Sequence, residues 1–592
     1  MAESPNPLKP PKNEMESQMK MLVIFLGIGL LLYLWQVVYN PVVPQQQQPP
    51  QQQQQAAAET KPQQQQTPPA PNAYATPPPP SGEKAAAEQQ AQQQVQASAE
   101  EAVTVDTDLY HVTLSNRGAV IKSWMLKKYK DAGEKPVELV NVSGAGRIPP
   151  PFVMEFKGQQ PAQDVNKALW AVRKSADGLG IEFEYTVGNL SAKKSFQFKN
   201  GSYQTGFTSQ VTSNGVLMPH RLVWRGGFGD FSVLKYHAQQ KNLYWNNNEG
   251  KLKTVEASDA KNGPVSVSGP MLFTGTNDQY FAAAFLPPAG TANFELTTYY
   301  DKLPVVNDPA TEEPHIGIGA GGEGLNRFDL FAGPKDIEIL KKANPKLELL
   351  VDWGWFGIIA KPVYLALRWT YNNLTHNWGW AIVVLTIAIN VALLPLKFSS
   401  LKSAKKMQAI TPEVNRINAK YKDLKMSDPR KAEQNEEIMA LYKKHGVNPL
   451  GGCLPMVIQL PFFFAFYTAL QVTIDIRGAD WLWVKDLSRP ETIPIRILPL
   501  VMIATQFFMQ KMTPASPGMD ASQQRMMLFM PLVLGFMFYY QSSGLVLYWL
   551  TGNLVGIAQQ WLTNRMSASP ASPASAIIDV KPLPSSSKKK NR

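Results

Sequence analysis

Residues 378–396 run for nineteen positions without a charged side chain, from Trp378 to the Pro395-Leu396 pair. A helix of that length rises about 28 Å, close to the roughly 30 Å hydrocarbon layer of a bilayer. No other feature restricts the chain as strongly, because in hydrocarbon an apolar run must pair its own backbone N–H and C=O groups, as a helix does. Further apolar stretches occupy residues 449–472, 493–509 (with Arg496 near its start), 526–540 and 545–562. An earlier one, residues 21–39, follows Lys9, Lys12 and Lys20. Six transmembrane spans are predicted. A cleaved signal peptide is the rival reading of 21–39, but its apolar region is shorter, roughly 7–15 residues, and a small-x-small site should follow. Val38-Tyr39-Asn40-Pro41 follows instead, which favours an uncleaved anchor with residues 1–20 in the cytoplasm.

Loop charge gives an independent check. Residues 397–448 carry twelve Lys or Arg against six acids, whereas residues 475–491 carry three against four. The positive-inside rule assigns the first segment to the cytoplasm, with the basic tail, 566–592, ending Lys588-Lys589-Lys590-Asn591-Arg592. Six spans that start inside also end inside. The net charge of +12 would suit a nucleic-acid binder, but basic cytoplasmic loops account for it without DNA. Cys453 is the only cysteine, which excludes a disulfide framework or a cysteine-rich metal site.

A chain of 592 residues exceeds what one core sustains. Residues 41–102 are dominated by Gln, Pro and Ala, too polar to bury a core, and read as a disordered tether. Residues 103–345 alternate with period two, as at Tyr110-His111-Val112-Thr113-Leu114 and Ile181-Glu182-Phe183-Glu184-Tyr185, and turns fall at Asn200-Gly201, Asn214-Gly215 and Gly226-Gly227. One large all-β, antiparallel sandwich on the external side is expected. Residues 353–375 mix Ile358, Ile359, Val363, Leu365 and Leu367 with Lys361 and Arg368, the pattern of a helix lying in the membrane interface.

The cytoplasmic segment reads as a helical hairpin. Thr411 is expected to cap a helix with Pro412 at its first position, and Val414, Ile417, Tyr421 and Leu424 mark one face. Ser427-Asp428-Pro429 turns the chain into a second helix whose Ile438 and Leu441 face back, ending near Gly446.

Three stretches then carry a resemblance. Asn377-Trp378-Gly379-Trp380, Asn448-Pro449-Leu450-Gly451-Gly452-Cys453 and Ser543-Gly544-Leu545-Val546-Leu547-Tyr548 open the second, third and sixth spans and resemble signature stretches of the YidC insertase family. The likeness is close over residues 353–565, and the tether and β domain match by layout, as in the Gram-negative form of the family. It implies a multi-domain inner-membrane protein: an all-α six-span bundle whose five-span core, residues 377–565, includes the cytoplasmic hairpin, plus an all-β periplasmic super-sandwich resembling sugar mutarotases. The implied activity is that of an insertase and folding chaperone, not an enzyme, which needs no cofactor and receives nascent membrane proteins alone or beside secretion-channel components. Its core helices form a polar groove open to cytoplasm and lipid and closed toward the outside.

Polar residues within the spans are the candidates for that groove: Thr386 and Asn390, four apart on one face, Gln459, Gln506 and Asn553, with Gln559 and Gln560 either lining it or merely interfacial. Helix–helix hydrogen bonding is the plain alternative for each. Among the many aromatic and Met residues of the last spans, Tyr467 is a candidate for substrate contact, and the resemblance implies the same for Tyr548 and Trp549. One departure stands out. Family members usually carry an arginine in the second span, thought to attract acidic residues of the incoming tail, and aligning Trp378-Gly379 and Pro395-Leu396 puts Asn390 there. A groove with no fixed charge and weaker selection of acidic tails is expected, with Arg368 and Lys397 as the cations that could act from its edge.

The hairpin and basic tail suit a ribosome or targeting factor through RNA phosphates, or anionic membrane lipids. In the β domain, His111, His220, His237 and His315 show no spacing with acids such as Glu182 or Glu184 that makes a catalytic site, and fold analogy supplies no function. A transporter is the main rival, yet no inverted repeat and no intramembrane Asp or Glu is evident. An enzyme anchored by its first span would leave five further spans without a task.

Overall fold

The computed structural model describes residues 94–232, 240–305, 308–421, 424, 428–446, 454–512 and 521–566. The expected anchor 21–39, most of the tether, residues 448–453, His237 and all but the first residue of the tail lie outside the described residues.

The β domain has three antiparallel sheets among the described residues. A four-stranded sheet runs Ala102–Asp106, Tyr110–Ser115, Val120–Lys130, Pro136–Glu138. A ten-stranded sheet has the order Lys251–Val255, Lys241–Asn246, Met271–Asn277, Phe281–Leu286, Leu325–Pro334, Gln204–Ser213, Leu190–Gln197, Gly180–Val187, Ala171–Lys174, with Val216–Leu217 paired beside Gln204–Ser213. The five-stranded sheet is Val265–Gly269, Phe294–Val305, Asp308–Gly321, His220–Trp224, Val153–Phe156. Alternation in the sequence becomes alternation in burial: Leu190, Ala192, Lys194 and Phe196 point inward from one strand. Asn214 (φ 52°) and Gly215 (φ 77°) make the left-handed two-residue turn that a tight hairpin requires.

The larger sheets pack face to face over aromatic rings, with Phe207 4.9 Å from both Phe152 and Phe328. Two buried polar ties cross the sandwich: Asn242 Nδ2 donates to Thr298 Oγ1 and to the Gly317 carbonyl, and His220 Nε2 meets Ser209 Oγ at 2.9 Å. Lys194 is the unexpected core residue. Its ammonium donates to the carbonyls of Gly118 (2.9 Å), Ala119 (3.0 Å) and Phe152 (2.7 Å). Those residues have φ of 74°, 51° and 72°, a conformation costly for Ala and Phe and held here by the cation. Burial pushes the Lys194 pKa down to about 7.

Residues ahead of the first strand are already tied down, since Asn116 Nδ2 donates to the Ala99 carbonyl and Arg117 pairs with Glu100 at 2.7 Å. After the last strand come helix α1 (Ile337–Ala343), capped by Asp336, and a 3₁₀ turn, Pro345–Leu350. Helix α2 (Gly357–Thr370) buries Ala360, Val363, Tyr364 and Leu367, while Ile358, Leu365 and Trp369, with Trp355 just ahead of it, leave an exposed apolar face.

The helical region comprises α3 (Trp378–Ala392), α4 (Leu394–Ala409), α5 (Thr411–Lys420), α6 (Arg430–Lys444), α7 (Leu454–Val472), α8 (Ile497–Met512), α9 (Ala521–Phe538) and α10 (Ser543–Met566). Two expectations are corrected. The run 378–396 is not one helix: α3 stops at Ala392 and α4 begins at Leu394, because Pro395 has no N–H for the Val391 carbonyl. Among the described residues no single helix is long and apolar enough to cross a membrane, and only the pair Gly357–Thr375 and Trp378–Ala392, bent by 114°, passes together. Secondly, Ile410 rather than Thr411 is the N-cap of α5; Thr411 is its first residue and turns its hydroxyl back to Met407 O. Ser427 of the expected turn lies outside the described residues. Met407, Ile410, Val414 and Tyr442 form the hairpin's core with Ile438 and Leu441 against them, Asp428 Oδ1 receives the Arg430 N–H, and Gly446 turns left-handed past the end of α6.

Candidate functional site

The motif residues at the start of α3 and α10 fasten the loop between α7 and α8. Asn377 caps α3 by accepting from Trp380 N and donates through Nδ2 to the Asp480 carbonyl at 3.0 Å. Gly379 lies so close to Trp481 that a Cβ there would come within 2.2 Å of its ring. At the start of α10, Ser543 N donates to Arg489 O and Gly544 N to Leu487 O, each at 2.8 Å. Trp481, Val484 and Leu487 are buried beneath these contacts.

The same loop joins the helices to the β domain. Arg477 pairs with Asp230, donates to the Lys130 carbonyl at 2.7 Å, and lies over the rings of Tyr280 and Phe281. Gln279 Nε2 donates to the Gln471 carbonyl at the end of α7. Arg368 is held by Asp336 (3.4 Å), Glu338 (3.3 Å) and Tyr364 OH (2.9 Å), and Tyr364 donates to Asp475. Burial raises the Asp475 pKa. Arg368 is therefore held at the junction between the β domain and the helices.

The polar residues within the core helices form two groups. In the first, Gln459 on α7 donates to Tyr548 OH at 3.2 Å, Trp549 Nε1 donates to Gln506 Oε1 at 3.0 Å, and Asn553 Nδ2 reaches Met502 O and Thr505 Oγ1, each at 3.3 Å. Tyr548 stacks on Phe466 at 4.3 Å, and Phe463 meets Trp549 edge-on. Each polar group here joins α10 to α7 or α8, as helix–helix hydrogen bonding would have it. Tyr467 is half-buried on α7.

The second group lies where α3 packs on α10. Thr386 and Asn390 are 1% and 2% exposed, the Thr386 hydroxyl returning to Ile382 O at 2.6 Å and Asn390 Nδ2 donating to Thr386 O at 2.8 Å. Gln559, which could have been merely interfacial, is buried and directs Nε2 at Asn390 O, 3.5 Å away. Lys397 completes the group: its Nζ donates to Asn390 Oδ1 at 2.6 Å. The break at Pro395 lets the first turn of α4 send the ammonium of Lys397, expected as an edge cation, back to the amide that stands at the family's arginine position. Lys397 and Gln559 are the residues that sequence reasoning underrated. The available signal was Pro395, which breaks the helix between Asn390 and Lys397 and lets the two side chains turn toward one another. Beside this group α3 and α10 also border an apolar cleft of about 370 Å³, lined by Trp380, Ile387, Trp481, Leu550 and Leu554 among others.

A β sandwich joined to apolar helices whose polar groups face one another suits a membrane protein with a large domain outside the bilayer. Residues 102–366 match the family model for the YidC periplasmic domain, and residues 369–570 match the 60Kd inner membrane protein model. The membrane protein insertase YidC of Geobacter sp. (strain M21) is 34% identical over 478 residues, covering 78% of this chain and 85% of the relative. That of Citrifermentans bemidjiense is 34% identical over 481 residues, 79% and 86% of the two chains. A solved structure of an active YidC insertase, with its first transmembrane domain resolved, aligns over 79% of this chain and 94% of its own at 18% identity and a TM-score of 0.34. The chain belongs to the YidC membrane protein insertase family, whose members are insertases of the inner membrane and not enzymes.

Proposed function

We propose that this chain passes substrate spans and short polar tails into the inner membrane through a polar groove open to the cytoplasm and the lipid, alone or with the secretion channel. The observation that carries the reading is the connected polar group Thr386, Asn390, Lys397 and Gln559, set among otherwise apolar helices. A polar tail in hydrocarbon leaves each backbone group unpaired at a cost of several kcal/mol. Buried amides, a hydroxyl and an ammonium offer it partners partway across and so shorten the barrier.

In this reading the six spans place both termini and the hairpin in the cytoplasm and the β domain in the periplasm. The hairpin takes nascent chains first and, with the basic tail, meets the ribosome or a targeting factor. Thr386, Asn390, Gln459, Gln506 and Asn553 line the groove, and the aromatic surface of Tyr467, Tyr548 and Trp549 receives substrate helices. The α7–α8–α10 ties among them set the resting width of that surface and exchange partners when a substrate enters. The test is depletion in the native cell followed by scoring of the insertion of small one- and two-span proteins. Loss of insertion is expected. Normal insertion with loss of one solute's uptake would overturn the reading in favour of a transporter.

A further inference from the structure

The apolar cleft between α3 and α10 holds about 370 Å³ and has a wall with almost nothing to hydrogen-bond. Trp380 and Ile387 of α3 face Leu550, Leu554 and Ala558 of α10, and Trp481 of the α7–α8 loop stands at one end. Apart from the tryptophans, Thr551 is the one polar side chain in the wall, and its hydroxyl already donates to Leu547 O at 2.8 Å. A peptide seated there would leave its backbone unpaired. A span is also too bulky, since one turn of helix, about 10 Å across and about 5.4 Å long, fills about 420 Å³. A cavity of roughly 150 Å³ holds the six carbons of benzene, so in proportion this one takes a chain of about fifteen carbons.

The tryptophan end differs from the rest. The Trp481 indole N–H is buried and has no acceptor among the described residues. Trp380 and Trp483 lie 5.6 and 5.9 Å from its ring, an aromatic group of the kind that gathers at the level of lipid headgroups. Trp481 and Val484 exchange two backbone hydrogen bonds of 2.8 Å, which sets Asp480 and Lys485 side by side at the mouth of the cleft. Asp480 is fixed there, its carbonyl accepting from the α3 cap Asn377. Both side chains are exposed. Arg477 and Arg489 of the same loop are paired with Asp230 and Asp486, whereas among the described residues neither Asp480 nor Lys485 is in an ion pair.

We propose that the cleft seats one phospholipid with an amine headgroup, whose acyl chain lies between α3 and α10 and whose ester carbonyl accepts from Trp481 after a small turn of the indole. Its phosphate meets Lys485 and its amine meets Asp480. The proposal goes beyond insertion and rests on the reading that α3 and α10 lie in the bilayer with the α7–α8 loop at its outer surface. One molecule then covers the apolar wall, satisfies a buried donor that is costly to leave unpaired, and matches two opposite charges in the order a zwitterionic headgroup presents them.

The test is native mass spectrometry of the full-length protein released from vesicles of equal parts phosphatidylethanolamine and phosphatidylglycerol. One retained lipid is expected, with the ethanolamine lipid favoured about threefold, the effect of one exposed ion pair, and Asp480→Asn should erase that preference. Ether-linked phosphatidylethanolamine has no carbonyl and should be retained about fivefold less than the ester lipid, the effect of one hydrogen bond; Trp481→Phe should remove the difference. Ile387→Trp fills the cleft and should cut retention about tenfold, while Val533→Trp, on the exposed face of α9, should leave it unchanged. A wild type that retains no lipid, or retains ester and ether lipids equally, overturns the proposal. So does retention that survives Ile387→Trp or falls as far in Val533→Trp, an ethanolamine preference that survives Asp480→Asn, or an ester preference that survives Trp481→Phe. Insertion is a separate readout, so the insertase reading and this assignment can each fail alone.

Discussion

The junction at Arg477 gives a sharp quantitative expectation. Its side chain is 3% exposed and that of Asp230 2% exposed, and the guanidinium lies 5.4 Å and 5.3 Å from the ring centres of Tyr280 and Phe281. Arg477→Met keeps most of the volume but leaves the Asp230 carboxylate buried without its cation, a loss that typically costs about 3–5 kcal/mol. If that energy holds the domain on the helices, the undocked population rises by about 100- to 4,000-fold, at 1.4 kcal/mol per tenfold. The reporters are the amides of Tyr280 and Phe281, which donate to Asp278 Oδ1 at 2.8 and 2.6 Å, and Asp278 in turn accepts from Asp230 N. Hydrogen exchange on the full-length protein in detergent should show those amides speeding up by about that factor, while amides around Phe207 in the sandwich stay at the wild-type rate. Arg477→Met combined with Asp230→Leu should recover most of the loss, because neither charge is then stranded. Exchange at Tyr280 and Phe281 within about threefold of wild type, or a double variant as loose as the single one, would refute the reasoning.

Three further outcomes are expected. Lys194→Met strands three buried carbonyls whose left-handed residues cannot easily turn them elsewhere, and should lower β-domain stability by about 3–5 kcal/mol in a denaturant melt, against under about 1 kcal/mol for the exposed Lys251→Met. His220 is pushed by burial to a pKa of about 4, below its ordinary value of 6.5, so the unfolded chain takes up the proton first. Its contribution is complete above about pH 6.5 and is lost as pH falls toward 4, about 3 kcal/mol in all, and the wild-type stability should fall across that window more steeply than that of His220→Gln. Gly379→Val drives a branched side chain into Trp481 and should loosen the loop between α7 and α8, read as increased Trp481 accessibility to a collisional quencher; an unchanged accessibility would count against the close approach.

Patterns of local origin were legible and pairings were not. Period-two alternation located the strands around Tyr110 and Ile181, and it even put Lys194 on an inner face, but the three carbonyls that make a buried ammonium tolerable come from residues up to 76 positions away. The central pairing of Leu325–Pro334 with Gln204–Ser213 is likewise invisible, since period reports which face a residue takes and not which strand lies alongside. Helical periodicity gave the hairpin faces of Val414 and Ile438. Counting charges over 378–396 overran Pro395, a break signal in plain view, because hydropathy has no term for a missing N–H. At the site, polar residues among apolar neighbours were readable as a group. Their partners were not, because the contact of Lys397 with Asn390 depends on the break between α3 and α4.

The shortness of the helices has a consequence for the lipid. Helix α3 has fifteen residues and α8 sixteen, so each rises only about 22–24 Å, against roughly 30 Å of hydrocarbon. In the reading proposed above, where both helices lie within the bilayer, the lipid bordering them must pinch inward or meet polar ends, at a fraction of a kcal/mol per ångström of mismatch. That deformation shortens the distance a cargo tail travels through acyl chains. Reconstitution into bilayers of increasing chain length should then slow insertion in step with thickness, making membrane elasticity a working part of the machine.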